Sequence, residues 1–254
     1  MSSPIWTPAA LSPERRRLAG FCWRAVEGQH YVSTMKLVDT LEEQSLLETL
    51  IERSKPPVPP ECRHLDYLLA TPFRYEAPYP SGSRFRRAGF TAGVFYASAT
   101  PATAIAEAAF HRLLFFADSP ATPWPGAAGE YTVFSVRFRT SAGLDLSRVP
   151  FAADASRWKH PTDYGWCQEF AELARQAGVE VLRYLSARVS TGINVGLLTC
   201  RAFAAPRPVD RQTWRIQLGS SGVRAVCAFP EARLEFAREA FATDPRIAAL
   251  SWDR

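Results

Sequence analysis

The hydrophobic period of this 254-residue chain switches repeatedly between that of a strand and that of a helix, which confines it to a mixed fold of both. Gly93-Val-Phe-Tyr-Ala97 reads as a strand, followed by Thr100 as N-cap and Pro101 at the first position of a helix running to about Phe116. The alternation Tyr131-Thr-Val-Phe-Ser-Val-Arg-Phe138 reads as a second strand. An amphipathic helix is expected over residues 163 to 177, with Trp166, Phe170, Leu173, Ala174 and Ala177 as its apolar positions and Gly178 ending it. Strands are expected at Val179 to Tyr184 and Asn194 to Phe203. Trp214 to Leu218 and Val223 to Phe229 flank Gly219-Ser-Ser-Gly222 as a hairpin, and the mixed-charge stretch Pro230 to Ala242 reads as a helix.

Ahead of these elements, residues 12 to 54 read as helical. Ser12-Pro13-Glu14 opens one helix, and Thr40-x-x-Glu43 forms a capping box near the start of another. Leu37, Leu41, Leu47, Leu50 and Ile51 fall roughly on one face. Lys55-Pro-Pro-Val-Pro-Pro60 then stops any helix, because proline removes the amide donor and clashes with the preceding turn. The expected organisation is a helical N-terminal extension over residues 1–60 and one compact domain over residues 61–254, an α+β fold with a C-terminal hairpin and helix.

Charge and cysteine usage narrow the setting. The formal charge is +5, and the basic residues are almost all arginine, Lys36, Lys55 and Lys159 being the lysines. With a lone asparagine, Asn194, this bias is mostly that of an AT-poor coding sequence. A subset of guanidinium groups remains available to grip phosphate or carboxylate by the bidentate fork that lysine lacks. The charge is too small and scattered to imply direct nucleic-acid binding. Cys22, Cys62, Cys167, Cys200 and Cys227 are widely spaced and never form C-x-x-C, the usage of reduced thiols in a cytosol. Met1 to Ala10 lacks a basic start and an apolar core, and no apolar run approaches the roughly 18 residues needed to span a bilayer. A soluble, cytoplasmic protein is expected.

The common catalytic signatures fail. There is no G-x-G-x-x-G after a strand, no G-x-x-x-x-G-K-[ST], no G-x-S-x-G and no H-E-x-x-H. His30, His64, His111 and His160 have no metal-like spacing, so no metal is expected. Three polar clusters remain. Arg74, Arg84, Arg86, Arg87 and Arg112 outnumber Glu76 and Glu107 in a loop-rich region, as an anion site or simply as solvated side chains. Glu107 lies among small residues, Ala104-Ile-Ala-Glu-Ala-Ala109, either in a site or facing solvent with His111 at i+4. Arg183-Tyr-Leu-Ser-Ala-Arg188 and Gly192-Ile-Asn194 place a hydroxyl, a guanidinium and an amide at a strand end and turn, where packing and turn formation are the alternatives.

Taken together, these pieces resemble the RES-domain family. Thr71-Pro-Phe-Arg-Tyr75, Gly82-Ser-Arg-Phe85, Gly93-Val-Phe-Tyr-Ala97 and Thr103-Ala-x-Ala-Glu107 look like its first half. Tyr164-Gly-Trp-Cys-Gln168, Gly178-Val-Glu-Val-Leu-Arg-Tyr184, Ser186-Ala-Arg188 and Gly192-Ile-Asn194-Val-Gly-Leu-Leu198 look like its second, so the resemblance spans about residues 70 to 205. It implies an ADP-ribosyltransferase-like fold and the toxin of a bacterial toxin–antitoxin pair whose antitoxin carries an Xre-type helix-turn-helix. The implied activity is cleavage of NAD⁺ at the nicotinamide–ribose bond by hydrolysis or phosphorolysis, with NAD⁺ as substrate and no further cofactor. The alternatives it carries are mono-ADP-ribosylation of a protein and a non-catalytic NAD-binding regulatory module.

On the matching positions, Arg74, Tyr96, Glu107 and Ser186 are the implied catalytic set, and Arg84, Arg24, Tyr75, Arg188 and Asn194 the implied substrate-binding set. Glu107 would stabilise the oxocarbenium-like ribose, arginine would hold the pyrophosphate, Tyr96 would meet the nicotinamide-ribose end, and Ser186 would fix the ligand or Glu107 itself. The family's usual proline before the serine is Leu185 here, and its asparagine after the Arg-aromatic pair is Arg86. Its first arginine has three candidates, ranked Arg74, Arg84, Arg24, the last because Trp23-Arg24-Ala-Val26 also reads as an opening strand with residues 27 to 70 inserted after it. The N-terminal extension would cover the cleft, form a homo-oligomer contact or modify partner binding.

Overall fold

The computed structural model describes residues 6–28, 34–35, 37–74, 80 and 82–254. In chain order its elements are α1 (Pro8–Leu11), β1 (Arg16–Glu27), α2 (Leu41–Ser54), α3 (Tyr67–Ala70), β2 (Phe95–Ser98), α4 (Pro101–Asp118), β3 (Gly129–Asp145), α5 (Ala155–Trp158), α6 (Gly165–Gln176), β4 (Val181–Leu185), β5 (Ile193–Leu197), β6 (Asp210–Gly219), β7 (Gly222–Cys227), β8 (Ala232–Ala237) and α7 (Pro245–Ala248). The fold is mixed α and β, as the switching period implies.

Two stretches expected to be helical are strands. Within residues 12 to 54, the helix forms at Leu41–Ser54 with the expected Thr40–Glu43 capping box, but Arg16–Glu27 is β1. Its first half alternates, with Arg17, Ala19 and Phe21 turned to solvent and Leu18, Gly20 and Cys22 turned inward. That period of two outweighs the opening signal of Ser12-Pro13-Glu14. Trp23-Arg24-Ala-Val26 is therefore strand, and β1 pairs antiparallel with β3 from Arg16↔Gly143 to Glu27↔Tyr131. At the other end, Ala232–Ala237 within the expected helix of residues 230 to 242 is β8, followed by a 3-10 turn at Arg238–Phe241. Ala232, Leu234 and Phe236 lean inward in alternation, and pairing with β7 overrides the helix preference of Ala, Arg and Glu. The expected strand from Asn194 to Phe203 is shorter, ending at Leu197 before a Thr199-capped turn.

Sheet topology positions the site. The strand order is β1-β2-β5-β4-β3-β6-β7-β8, with β1 pairing β3 as well. Strands β1, β2, β5, β4 and β3 therefore close into a ring. The long strand β3 divides its pairing: Gly129 to Ser135 hydrogen-bond β6, whereas Gly143 to Asp145 run parallel to β4. The ring encloses one apolar core, with Cys22, Phe95, Phe134, Val136, Val195 and Leu197. Helix α4 covers the β6–β7 wing through Ile105, Phe110 and Leu113, each fully buried. Helix α6 covers the β3–β4 side through Phe170 and Ala174. Fully burying one such leucine or phenylalanine is worth about 1.5–3 kcal/mol.

The helix ends carry the signals expected. Thr100 accepts from Thr103 N at 3.2 Å and Pro101 follows it. After α6, Gly178 adopts φ +71°, with its N–H on Arg175 O and that of Val179 on Ala174 O, a Schellman ending that only glycine adopts without strain. The β6–β7 hairpin turns at Ser220-Ser221, as its sequence predicts.

Candidate active site

Glu107 is presented from the second turn of α4 toward the ends of β4 and β5. Its Oε1 accepts from Ser186 Oγ at 2.7 Å and from Asn194 Nδ2 at 2.6 Å. Ser186 follows β4, and its oxygen accepts the N–H groups of Arg188 and Val189, both at 3.0 Å. With those acceptor positions filled, the serine proton is directed to Glu107. Asn194, on β5, is oriented in turn by Ser98 of β2, whose hydroxyl donates to Asn194 Oδ1 at 2.7 Å. Two donors thus converge on one carboxylate oxygen, with Ser98 of β2 supporting one of them. Glu107 Oε2 has no protein partner among the described residues, and the side chain is part-exposed.

Gly192 makes this convergence possible. A Cβ at that position would come within 2.8 Å of Val189 Cβ, 2.9 Å of Thr103 Cγ2 and 3.0 Å of Ser186 Cβ, so the loop between β4 and β5 lies against α4 only because the side chain is missing.

Arg84 stands at the tip of a tight turn in which Ser83 and Arg86 exchange backbone hydrogen bonds of 2.7 and 3.1 Å. Gly82, at φ +62°, admits the turn. Tyr96 clamps it from β2, its hydroxyl accepting from Phe85 N at 2.9 Å and lying 2.8 Å from Ser83 Oγ. Gln168 of α6 clamps it from the other side, donating to the carbonyls of Ser83 and Arg86. Phe85 is buried against Tyr184 at 4.9 Å. The Arg84 guanidinium donates to Trp158 O at 2.6 Å and lies over the Tyr164 ring at 4.6 Å.

Arg24 of β1 donates to the Tyr96 carbonyl at 2.8 Å, and its neighbour Trp23 pairs with Ser98, two hydrogen bonds from Glu107. Arg188 is almost entirely buried, flat over Phe110 at 3.5 Å, with Nη2 donating to Pro161 O at 3.1 Å. His111, one turn beyond Glu107, feels Glu107, Arg188, Arg246 and Arg24 together. Desolvation by the surrounding walls is the largest influence and lowers its imidazole pKa; Glu107 pulls it up and the three guanidinium groups push it further down. Burial likewise holds the Tyr184 hydroxyl well above its ordinary value, with Tyr96 and Glu107 adding to the shift.

The structure therefore gathers Arg24, Arg84, Tyr96, Glu107, Ser186, Arg188 and Asn194. It does not bring Arg74 there. That guanidinium pairs with Glu52 of α2 and donates to Pro56 O at 2.9 Å, which fastens the helix that follows β1 to the segment before β2. Of the three ranked arginines, Arg84 and Arg24 lie near Glu107 and Arg74 does not; Arg24 is carried there by β1, a strand of the ring itself. Tyr75 lies outside the described residues. Sequence reasoning gave no role to Ser98, Tyr164, Asp244 or Arg246. Tyr164 stood within a quoted motif, whereas Asp244 and Arg246 had no local signal, being ordinary in a charged C-terminal stretch. No group of three or more His, Cys, Asp or Glu side chains converges as a metal site among the described residues.

A sequence profile described as the RES domain matches residues 58–219, well over half of the chain. The chain belongs to the RES-domain family. The match contains Arg84, Tyr96, Glu107, Ser186, Arg188 and Asn194, while Arg24, Asp244 and Arg246 reach the RES-domain site from outside it. No curated protein matches the sequence. Among solved structures, the fold is similar to the M. tuberculosis MbcT–MbcA toxin–antitoxin complex, at 12% identity and a TM-score of 0.46, over 82% of this chain and 92% of that one. No helix among the described residues is long and apolar enough to cross a membrane.

Proposed function

We propose that this RES-domain protein is the toxin of a bacterial toxin–antitoxin pair, acting in the cytoplasm by cleaving NAD⁺ at the nicotinamide–ribose bond. The observation that supports this best is the half-engaged carboxylate of Glu107: one oxygen fixed by Ser186 and Asn194, the other without a protein partner among the described residues, near Arg24, Arg84 and Arg188. When the bond between ribose C1′ and the pyridinium nitrogen breaks, its electron pair leaves with nicotinamide and neutralises the ring. The ribose is left as an oxocarbenium ion. A carboxylate already oriented near C1′ and the ribose hydroxyls stabilises that developing charge without reorganising.

Ser186 and Asn194 orient the carboxylate, Arg84 supplies a fork-shaped cation that suits a pyrophosphate, and the buried Arg188 adds positive charge. Water or phosphate then adds to C1′, giving hydrolysis or phosphorolysis. The antitoxin partner is proposed as an Xre-type helix-turn-helix protein. Purified protein incubated with NAD⁺, with and without phosphate, is expected to release nicotinamide, and Glu107→Gln to stop that release while melting as the wild type does. NAD⁺ left intact under both conditions by antitoxin-free protein overturns the cleavage reading.

A further inference from the structure

Three arginines meet at one tyrosine. The ring face of Tyr164 carries Arg84, and its hydroxyl lies 3.5 Å from Arg188 Nη2 while donating its own proton to Pro161 O at 3.2 Å. Arg246, from α7 and beyond the family-matched segment, lies near enough to the same tyrosine to be influenced by it electrostatically. It also grips Asp244 with Nε at 3.0 Å from Oδ1 and Nη2 at 2.8 Å from Oδ2. Asp244 is fully buried and faces Arg188 Nη1 at 3.4 Å from its other side. The Asp244 side chain is thus shared between a buried guanidinium and one that is 41% exposed.

We propose that Arg246 is a specificity-determining residue holding a phosphate of the dinucleotide, and that Asp244 is a positioning residue that aims Arg246 and Arg188; this rests on the NAD⁺ reading above. Arg84, Arg188 and Arg246 outnumber the two carboxylates near them, Asp244 and Glu107, which leaves a net positive charge, of the sign that suits a pyrophosphate. Asp244 engages only Nε and Nη2 of the Arg246 donor fork, the side chain is 41% exposed, and its charge reaches His111, one turn beyond Glu107, as those of Arg24 and Arg188 do. Burial alone would raise the Asp244 carboxyl, but the Arg246 hydrogen bonds and both positive charges outweigh it and hold its pKa low, so Asp244 stays ionised as the anchor. The C-terminal segment is itself tied to α4: Arg254 Nη1 donates to the carbonyls of Phe116, Ser119 and Thr122, and Trp252 O accepts from Trp124.

The test uses the full-length protein, ADP-ribose as the binding probe, and two substrates that share the scissile bond: NAD⁺, and nicotinamide riboside, which lacks phosphate. Arg246→Ala is expected to weaken ADP-ribose binding about 10-fold, or ~1.4 kcal/mol, and to raise KM for NAD⁺ by a similar factor with a smaller effect on nicotinamide riboside. Arg246→Lys restores only part of this, because a point charge cannot hold Asp244 and a phosphate with one planar fork. Asp244→Asn should show the same bias against NAD⁺ in protein that circular dichroism shows to be folded. Unchanged ADP-ribose affinity and KM in Arg246→Ala overturn the proposal, and so do equal losses on both substrates. If ADP-ribose binding depends on Arg246 but no nicotinamide is released from NAD⁺, the phosphate subsite stands and the cleavage reading falls. Wild-type protein that does not bind ADP-ribose at all overturns both.

Discussion

Two carboxylates flank Arg188, and they are treated in opposite ways. Glu107 receives only neutral donors, both on one oxygen, and stays part-exposed. Asp244 is sealed from solvent, with two guanidinium groups and the Arg246 N–H around it. A carboxylate saturated by cations has little capacity left for a ligand, whereas one held by a hydroxyl and an amide keeps its charge for the reaction. On the proposed reading, the α4–β5 corner serves the chemistry and the α7 corner aims positive charge.

The strongest way to break this contrast is at Glu107. Glu107→Gln keeps shape and hydrogen-bonding capacity and removes the charge, so kcat for nicotinamide release should fall about 100- to 1,000-fold, as expected for loss of a preorganised electrostatic group, with stability within about 0.5 kcal/mol of wild type. Equal losses in activity and stability would show that the two corners do not differ. Asp244→Asn should act mainly on stability, with its effect on activity confined to KM for NAD⁺. Leaving Arg188 buried without its countercharge should cost about 3 kcal/mol of folding stability, measurable by urea unfolding.

Smaller effects sharpen the comparison. Ser186→Ala removes one of the two donors to Glu107 and leaves the Arg188 and Val189 N–H groups without their acceptor, so about 1–2 kcal/mol should be lost from kcat/KM or from stability. A loss confined to stability would reassign Ser186 from orienting Glu107 to shaping the loop. His111 gives the mildest signal. Its folded pKa lies below the unfolded value of 6.5, so between the two the unfolded chain binds more protons. Stability should therefore be unaffected above that value and decline as pH falls from about 6.5 toward the folded pKa. In Glu107→Gln the imidazole, followed by NMR, should titrate lower still, because the carboxylate is what pulls it up. An upward move would mean that His111 does not face Glu107.

How much of this was legible in the chain varied with the range of the signal. Glu107, Ser186 and Asn194 each had a bland alternative taken singly, and only their shared resemblance to a family joined them. The ring shows why they belong together: α4, β4 and β5 are brought to one point by the β2–β5 and β4–β5 pairings. Arg74 lies apart from the cluster for the complementary reason. Its surroundings in sequence are those of an anion site, yet the partner that neutralises it, Glu52, is 22 residues away on a helix whose docking no local pattern reveals.

What the sequence determined by itself was local: the Thr100 cap and Pro101 start of α4, the glycine ending of α6 at Gly178, the turn between β6 and β7, and the identities of the polar residues at strand ends. Each depends on dihedral preferences or hydrogen bonds spanning a few residues, which side-chain chemistry imposes directly. Tertiary structure decided that residues 232–237 are a strand and that the strand reading of Trp23-Arg24-Ala-Val26 extends back to Arg16, because their backbone partners lie on other strands and helix preference is weak beside those pairings. It alone decided which of the many arginines gather near Glu107. A guanidinium has no periodic signature; its role is set by the carboxylate it meets, Glu52 for Arg74 and Asp244 for Arg188 and Arg246, and such meetings exist only after the chain has folded.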